Sequence, residues 1–139
     1  MAALLGCGPE QPVWTPQALQ ESYEQTLADI RDVLSERLPA LQWGEQKPAA
    51  AYRSGWSCIA TYASYGSRVG LHQWEDDLER AVGDVIAEHG FGELKDEGGG
   101  TGGWVTHTSA DDRGVTLTIL SKGSVEVHVG APVDDSYCD

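Results

Sequence analysis

The clearest periodic pattern in the chain lies between Thr15 and Pro39. Leu19, Tyr23, Thr26 and Leu27, Ile30, Val33 and Leu34, and Leu38 recur every three or four residues, the spacing that lines one face of an α-helix. Glu21, Glu24, Asp29, Arg31, Asp32, Glu36 and Arg37 cover the other faces. Thr15 followed by Pro16 predicts an N-cap and a first helical residue whose missing N–H costs nothing there. Pro39 ends the segment. A second helix is predicted from about Gln73 to His89, with Leu78, Ala81 and Val82, Val85 and Ile86, and His89 as its stripe. Glu75, Asp76, Asp77, Glu79 and Asp84 load its N-terminal half, where the helix dipole favours negative charge, and Gly90 is placed to terminate it.

Elsewhere the period is two. From Trp56 to Tyr65, Cys58, Ala60, Tyr62 and Ser64 alternate with Ser57, Ile59, Thr61, Ala63 and Tyr65, which predicts a strand. Residues 40–55 carry Trp43, Gly44, Pro48, an alanine run and Gly55, and read as mostly loop with a short extended piece. Phe91 to Lys95 reads as a short strand, and the glycine-rich run from Glu97 to Gly103 as a flexible loop. Trp104–Thr108, Val115–Leu120 and Val125–Val129 predict an antiparallel meander. In its last hairpin, a two-residue Lys122-Gly123 turn would set Leu117 opposite His128. A three-residue loop, Ser121-Lys122-Gly123, pairs Ile119 with Val125 and Leu117 with Val127 and gives Gly123 the left-handed position, so this loop is expected. The turn at 111–114 leaves two readings of the preceding strand, with either Trp104 and Thr106 or Val105 and His107 facing inward. The element order predicts an α+β two-layer sandwich, two helices on one face of an antiparallel sheet of about four strands. The domain is expected over 15–139, behind a proline-bearing tether at 8–14 and a signal remnant at 1–7.

At 139 residues the chain is sized for one core. Its charge is lopsided, 9 Lys and Arg against 22 Asp and Glu, a formal −13. That field repels phosphate backbones and anionic headgroups, so no nucleic-acid partner is expected. No apolar run reaches the roughly 18 residues of a membrane-spanning helix.

Candidate chemistry is sparse. Neither G-x-S-x-G nor H-E-x-x-H occurs. The run Gly98–Gly103 lacks the lysine and following helix of a phosphate-binding loop, and acids precede it. Of His72, His89, His107 and His128, only His107 and His128 lie on predicted strands. The middle strand of the meander separates them, and both are read as facing solvent. The acid pairs Asp76-Asp77, Asp111-Asp112 and Asp134-Asp135 are read as solvated. No catalytic residue, metal or cofactor is therefore expected, and the chain is read as non-enzymatic. Trp43, Tyr52, Trp56, Tyr62 and Tyr65 cluster within 23 residues, and Trp74 follows. Such side chains suit a small core, which is the default reading. They also suit a binding surface, and the candidate face would run along Trp56, Tyr62, Tyr65 and Trp74.

The three cysteines, Cys7, Cys58 and Cys138, have neither zinc nor C-x-x-C spacing. Ala2-Ala3-Leu4-Leu5-Gly6-Cys7 resembles the lipobox of a bacterial lipoprotein, whose cysteine takes a diacylglycerol and becomes the new N-terminus. The basic region and full apolar length of such a signal are missing, so the numbering is read as beginning inside it. With Leu4-Leu5-Gly6-Cys7, Gly55-Trp56-Ser57-Cys58, the Val/Thr-rich last hairpin and Cys138 near the end, the layout resembles the small LppA-like lipoproteins of actinobacteria. That resemblance implies a lipid anchor on Cys7 at the extracytoplasmic face of the cell membrane and a structural disulfide, Cys58–Cys138 once Cys7 is lipidated. It brings no catalytic residues. The expected role is binding or support at the envelope, with an unidentified protein or small molecule as partner. The alternative is a cytosolic acidic inhibitor or immunity-type protein covering a basic partner, with three free thiols.

Overall fold

A computed structural model of the chain describes residues 13–67, 76–99 and 105–138. The long helix forms as its pattern predicts. Helix α1 runs Pro16–Arg37, and the Thr15 side chain accepts from Ala18 N–H at 3.0 Å. The C-cap residue Leu38 donates back to the Leu34 carbonyl, and Leu19, Tyr23, Thr26, Leu27, Ile30 and Leu34 are buried. Helix α2 is described over Asp76–Glu88 and buries Leu78, Val82 and Ile86. It closes with two bonds, Gly90 N–H to the Ala87 carbonyl and Phe91 N–H to the Ile86 carbonyl. This pairing needs a left-handed residue, and Gly90 sits at φ +87°. His89 Nε2 lies 2.7 Å from the Asp29 carboxylate and joins the two helices at their rim. Hydrogen bonds from Gln25 and then His89 hold Asp29 below the usual carboxylate range.

Among the described residues the sheet has seven strands, all antiparallel, where about four were expected. They are β1 (Gln42–Trp43), β2 (Ala50–Ser54), β3 (Ser57–Ser67), β4 (Lys95–Gly99), β5 (Val105–Ala110), β6 (Thr116–Ser121) and β7 (Val125–Pro132). The spatial order is β1-β3-β7-β6-β5-β4, and β2 pairs with the first half of β3. The extra strands have no hydrophobic alternation to announce them. β1 is two residues long, β2 is mostly exposed, and β4 carries the sequence Lys-Asp-Glu-Gly-Gly. Tertiary pairing, not local propensity, makes them strands.

Alternation then sorts the sheet into two faces. Cys58, Ala60, Tyr62 and Ser64 of β3, Leu117 and Ile119 of β6, and Val125, Val127, Val129 and Ala131 of β7 point into the core under the helices. Gly66 belongs to this face for want of space, because a Cβ there would lie 2.5 Å from Leu41 Cδ1. On β5 it is His107 and Ser109 that face inward, which decides between the two readings of that strand. Trp14, expected in the tether, is buried, bridges to Val133 and donates from Nε1 to the Arg113 carbonyl at 2.9 Å.

The last hairpin keeps the expected faces and changes its register. Ser121 pairs with Val125, Ile119 with Val127 and Leu117 with Val129. The loop is Lys122-Gly123-Ser124, closed by Lys122 N–H to the Ser124 carbonyl, and Gly123 at φ +67° is its middle residue, not its last. Sliding the pairing by two residues preserves the side-chain face, so periodicity alone does not choose between the two loops.

Candidate functional site

With both helices on one face, no helix among the described residues covers the other face of the sheet. Its residues fall into cross-strand rows. Tyr52 of β2 pairs with Ile59 of β3, which pairs with Pro132 of β7. In the next row Gly130 of β7 lies between Thr61 of β3 and Thr116 of β6. Then His128 lies between Ala63 and Thr118, and Glu126 between Tyr65 and Leu120. The central rows enclose an open groove of about 470 Å³, lined by Tyr52, Ile59, Thr61, Gly114, Thr116, Thr118, Leu120, His128, Gly130, Ala131 and Pro132. That volume lies within the roughly 300–1,000 Å³ of small-ligand sites.

The groove takes its shape from Gly130. Its φ lies outside the left-handed region, and a Cβ would stand at 3.4 Å from the Ala60 carbonyl oxygen and 3.5 Å from Thr61 Cγ2, a tight but tolerable fit. Neither backbone nor packing therefore demands glycine, in contrast to Gly66. His128 forms one wall. Its ring meets Tyr65 edge to face at 5.8 Å, and its Nε2 lies 3.5 Å from the Glu126 carboxylate without making a hydrogen bond.

The predicted aromatic face is not one face. Tyr62 is 2% exposed, inside the core, where burial raises its hydroxyl pKa. Tyr65 is 50% exposed on the uncovered side. Residues an odd number apart on a strand point opposite ways, so the strand itself divides the pair. Trp56 is 98% exposed in the turn between β2 and β3. Trp74, His72 and Cys7 lie outside the described residues, as does the glycine run beyond Gly99.

The two strand histidines also part company. His128 is on the uncovered face, but His107 is 1% exposed beneath α2, correcting its assignment to solvent. Its Nε2 lies 3.5 Å from Glu79 Oε1 and 4.0 Å from Asp96 Oδ2. Among the described residues no group of three or more His, Cys, Asp or Glu could hold a metal ion. Several of the paired acids have structural duties. Asp111 accepts from Arg113 N–H and Val115 N–H, each at 3.0 Å, and from the Tyr23 hydroxyl. Asp134 accepts from Ser136 N–H.

Cys58 and Cys138 are joined by a disulfide, with Cα atoms 5.9 Å apart. It fastens the short 3-10 turn Asp135–Cys138 to the start of β3. An Arg53–Asp135 ion pair at 3.3 Å lies alongside.

No family model matches the chain, and no curated protein matches it. A solved structure does. The chain shares its fold with the "putative lipoprotein LppA from Mycobacterium tuberculosis". The superposition has a TM-score of 0.56 at 13% identity and covers 86% of this chain and 79% of that one. The likeness to LppA is one of fold.

Sequence reasoning missed the groove because its walls come from four strands. One signal was available, since Gly130 follows Glu126 and His128 at the positions of β7 opposite its valines, and an isolated glycine inside a strand marks a close approach or an opening.

Proposed function

We propose that this protein is a non-enzymatic lipoprotein, held at the extracytoplasmic face of the cell membrane by a diacylglycerol on Cys7, with the uncovered sheet face as its binding surface. The Cys58–Cys138 disulfide carries the reading. Such a bond persists in an oxidising compartment and is lost in a reducing cytosol. It accounts for two of three cysteines and leaves Cys7, the residue that follows Leu4-Leu5-Gly6. The likeness to LppA supports the same reading. No helix among the described residues is long and apolar enough to cross a membrane. The six-residue step from Cys7 to Val13 spans about 20 Å at full extension, which keeps the domain close to its membrane.

Intact mass of the protein from an expressing bacterium, before and after reduction and alkylation, tests the reading. The expected species starts at Cys7, is heavier by a diacylglycerol, and takes up alkylating agent only after reduction. Three thiols alkylated without reduction would refute it and leave the acidic cytosolic inhibitor as the working reading.

A further inference from the structure

We infer that the groove over Gly130 is a binding site for a short neutral oligosaccharide; the inference rests on the uncovered face being the binding surface. Three observations converge on that class. The floor is a glycine that neither backbone angle nor packing requires, so its missing side chain serves the hollow itself. The walls mix hydroxyls with apolar surface: Thr61, Thr116 and Thr118 stand beside Ile59, Leu120 and Tyr52. No hydrogen bond ties those three threonine hydroxyls to other described residues, which leaves them available to a ligand.

Charge supplies the third. Among the described residues no Asp, Glu, Lys or Arg lines the groove, although the chain carries 22 acids and 9 Lys and Arg. An anionic ligand would meet no fixed cation there and the repulsion of a −13 field. A cationic one would find no lining carboxylate. A purely aliphatic one would leave three hydroxyls desolvated and unpaired, which costs free energy for each. A pyranose ring answers both kinds of surface, with one C–H face for Tyr52 and the aliphatic side chains and an equatorial rim of hydroxyls for the threonines and His128. Tyr52, 50% exposed at one end, offers the aromatic plane that such a C–H face stacks on.

The test titrates the 139-residue chain, followed by amide ¹⁵N–¹H spectra, with maltohexaose, cellohexaose and mannohexaose, and separately with hexagalacturonate and lauric acid. At least one neutral hexamer is expected to shift amides at Thr61, Thr116, Thr118 and Gly130. Gly130→Val should weaken that binding at least tenfold while leaving the spectrum elsewhere unchanged. Tyr52→Ala, on an exposed strand, provides a second loss-of-binding variant should Gly130→Val fold poorly. The inference is overturned if no neutral hexamer shifts these amides. It is equally overturned if hexagalacturonate or lauric acid shifts them instead, or if both variants bind as tightly as the parent. Because the titration does not read the anchor, a negative result beside a diacylated Cys7 removes the ligand class and leaves the envelope assignment standing.

Discussion

Breaking the Cys58–Cys138 bond perturbs the unfolded chain more than the folded one. The two cysteines are 80 residues apart, and opening a loop of that size restores about 4.5 kcal/mol of unfolded-state entropy in the chain-entropy model. At about 2.1 cal/mol/K per residue, a chain of this length unfolds with an entropy near 290 cal/mol/K, so the midpoint should fall by about 15 °C. Reduction is a cleaner perturbation than substitution, because Cys58 is buried and truncating it also leaves a small void. The assay is guanidinium unfolding of the oxidised and reduced protein, with Cys58→Ala/Cys138→Ala as a third sample. The reduced protein and the double variant should lie close together, both well below the oxidised form. The dependence on denaturant should also steepen, since an uncrosslinked chain exposes more surface. A loss under about 1 kcal/mol on reduction would refute the reasoning, as would a double variant that still responds to reductant.

Three further outcomes follow from single residues. Tyr23→Phe removes the hydroxyl that donates to Asp111, at a cost of about 1–3 kcal/mol in urea unfolding at neutral pH. Burial, and then the Asp111 hydrogen bond, raise the Tyr23 pKa above its ordinary 10.0. Its contribution to stability is therefore complete below about pH 10 and is lost as pH rises further; Tyr23→Phe should flatten that alkaline decline, and an unchanged slope would contradict the assignment. Trp56→Ala should change stability by no more than about 0.5 kcal/mol, whereas Tyr62→Ala should cost about 3–5 kcal/mol, so thermal melts of the two variants separate surface from core. Thr15→Ala should cost about 1 kcal/mol through loss of the cap on Ala18 N–H, measured by the same melts.

What could be read from the sequence divides along a physical line. Elements whose own side chains bury a face were legible. Leu19 through Leu34 give α1, Thr15 and Pro16 its start, and the valines of β7 and the Val-Leu-Ile run into β6 the faces of the hairpin. Elements that exist only because a neighbour offers hydrogen-bond partners were not. Ala50–Ser54 and Lys95–Gly99 carry no pattern of their own and become strands against β3 and β5. Ser64 shows a related difficulty, because its buried hydroxyl is satisfied by Arg31 from α1 and Gln46 from the segment before β2, residues 33 and 18 positions away. The candidate groove needed the register of β2, β3, β7 and β6 at once. Only Gly130 hinted at it in one dimension.

The order of strands has a consequence for how copies of this protein meet. A sheet that is open at both sides presents rows of unpaired backbone groups on which another chain can add, and molecules confined to a surface encounter one another often. Both borders of this sheet discourage such addition. One is broken between β1 and β2 by a segment holding Pro48, and the outer strand there carries Arg53. The other is β4, short, charged at Lys95, Asp96 and Glu97, and irregular in register between Asp96 and Gly99. Charges, a proline, brevity and a bulge are the devices by which sheets resist polymerising edge to edge. If the proposed lipid anchor crowds copies of this protein on a membrane, these edges would disfavour their joining strand to strand.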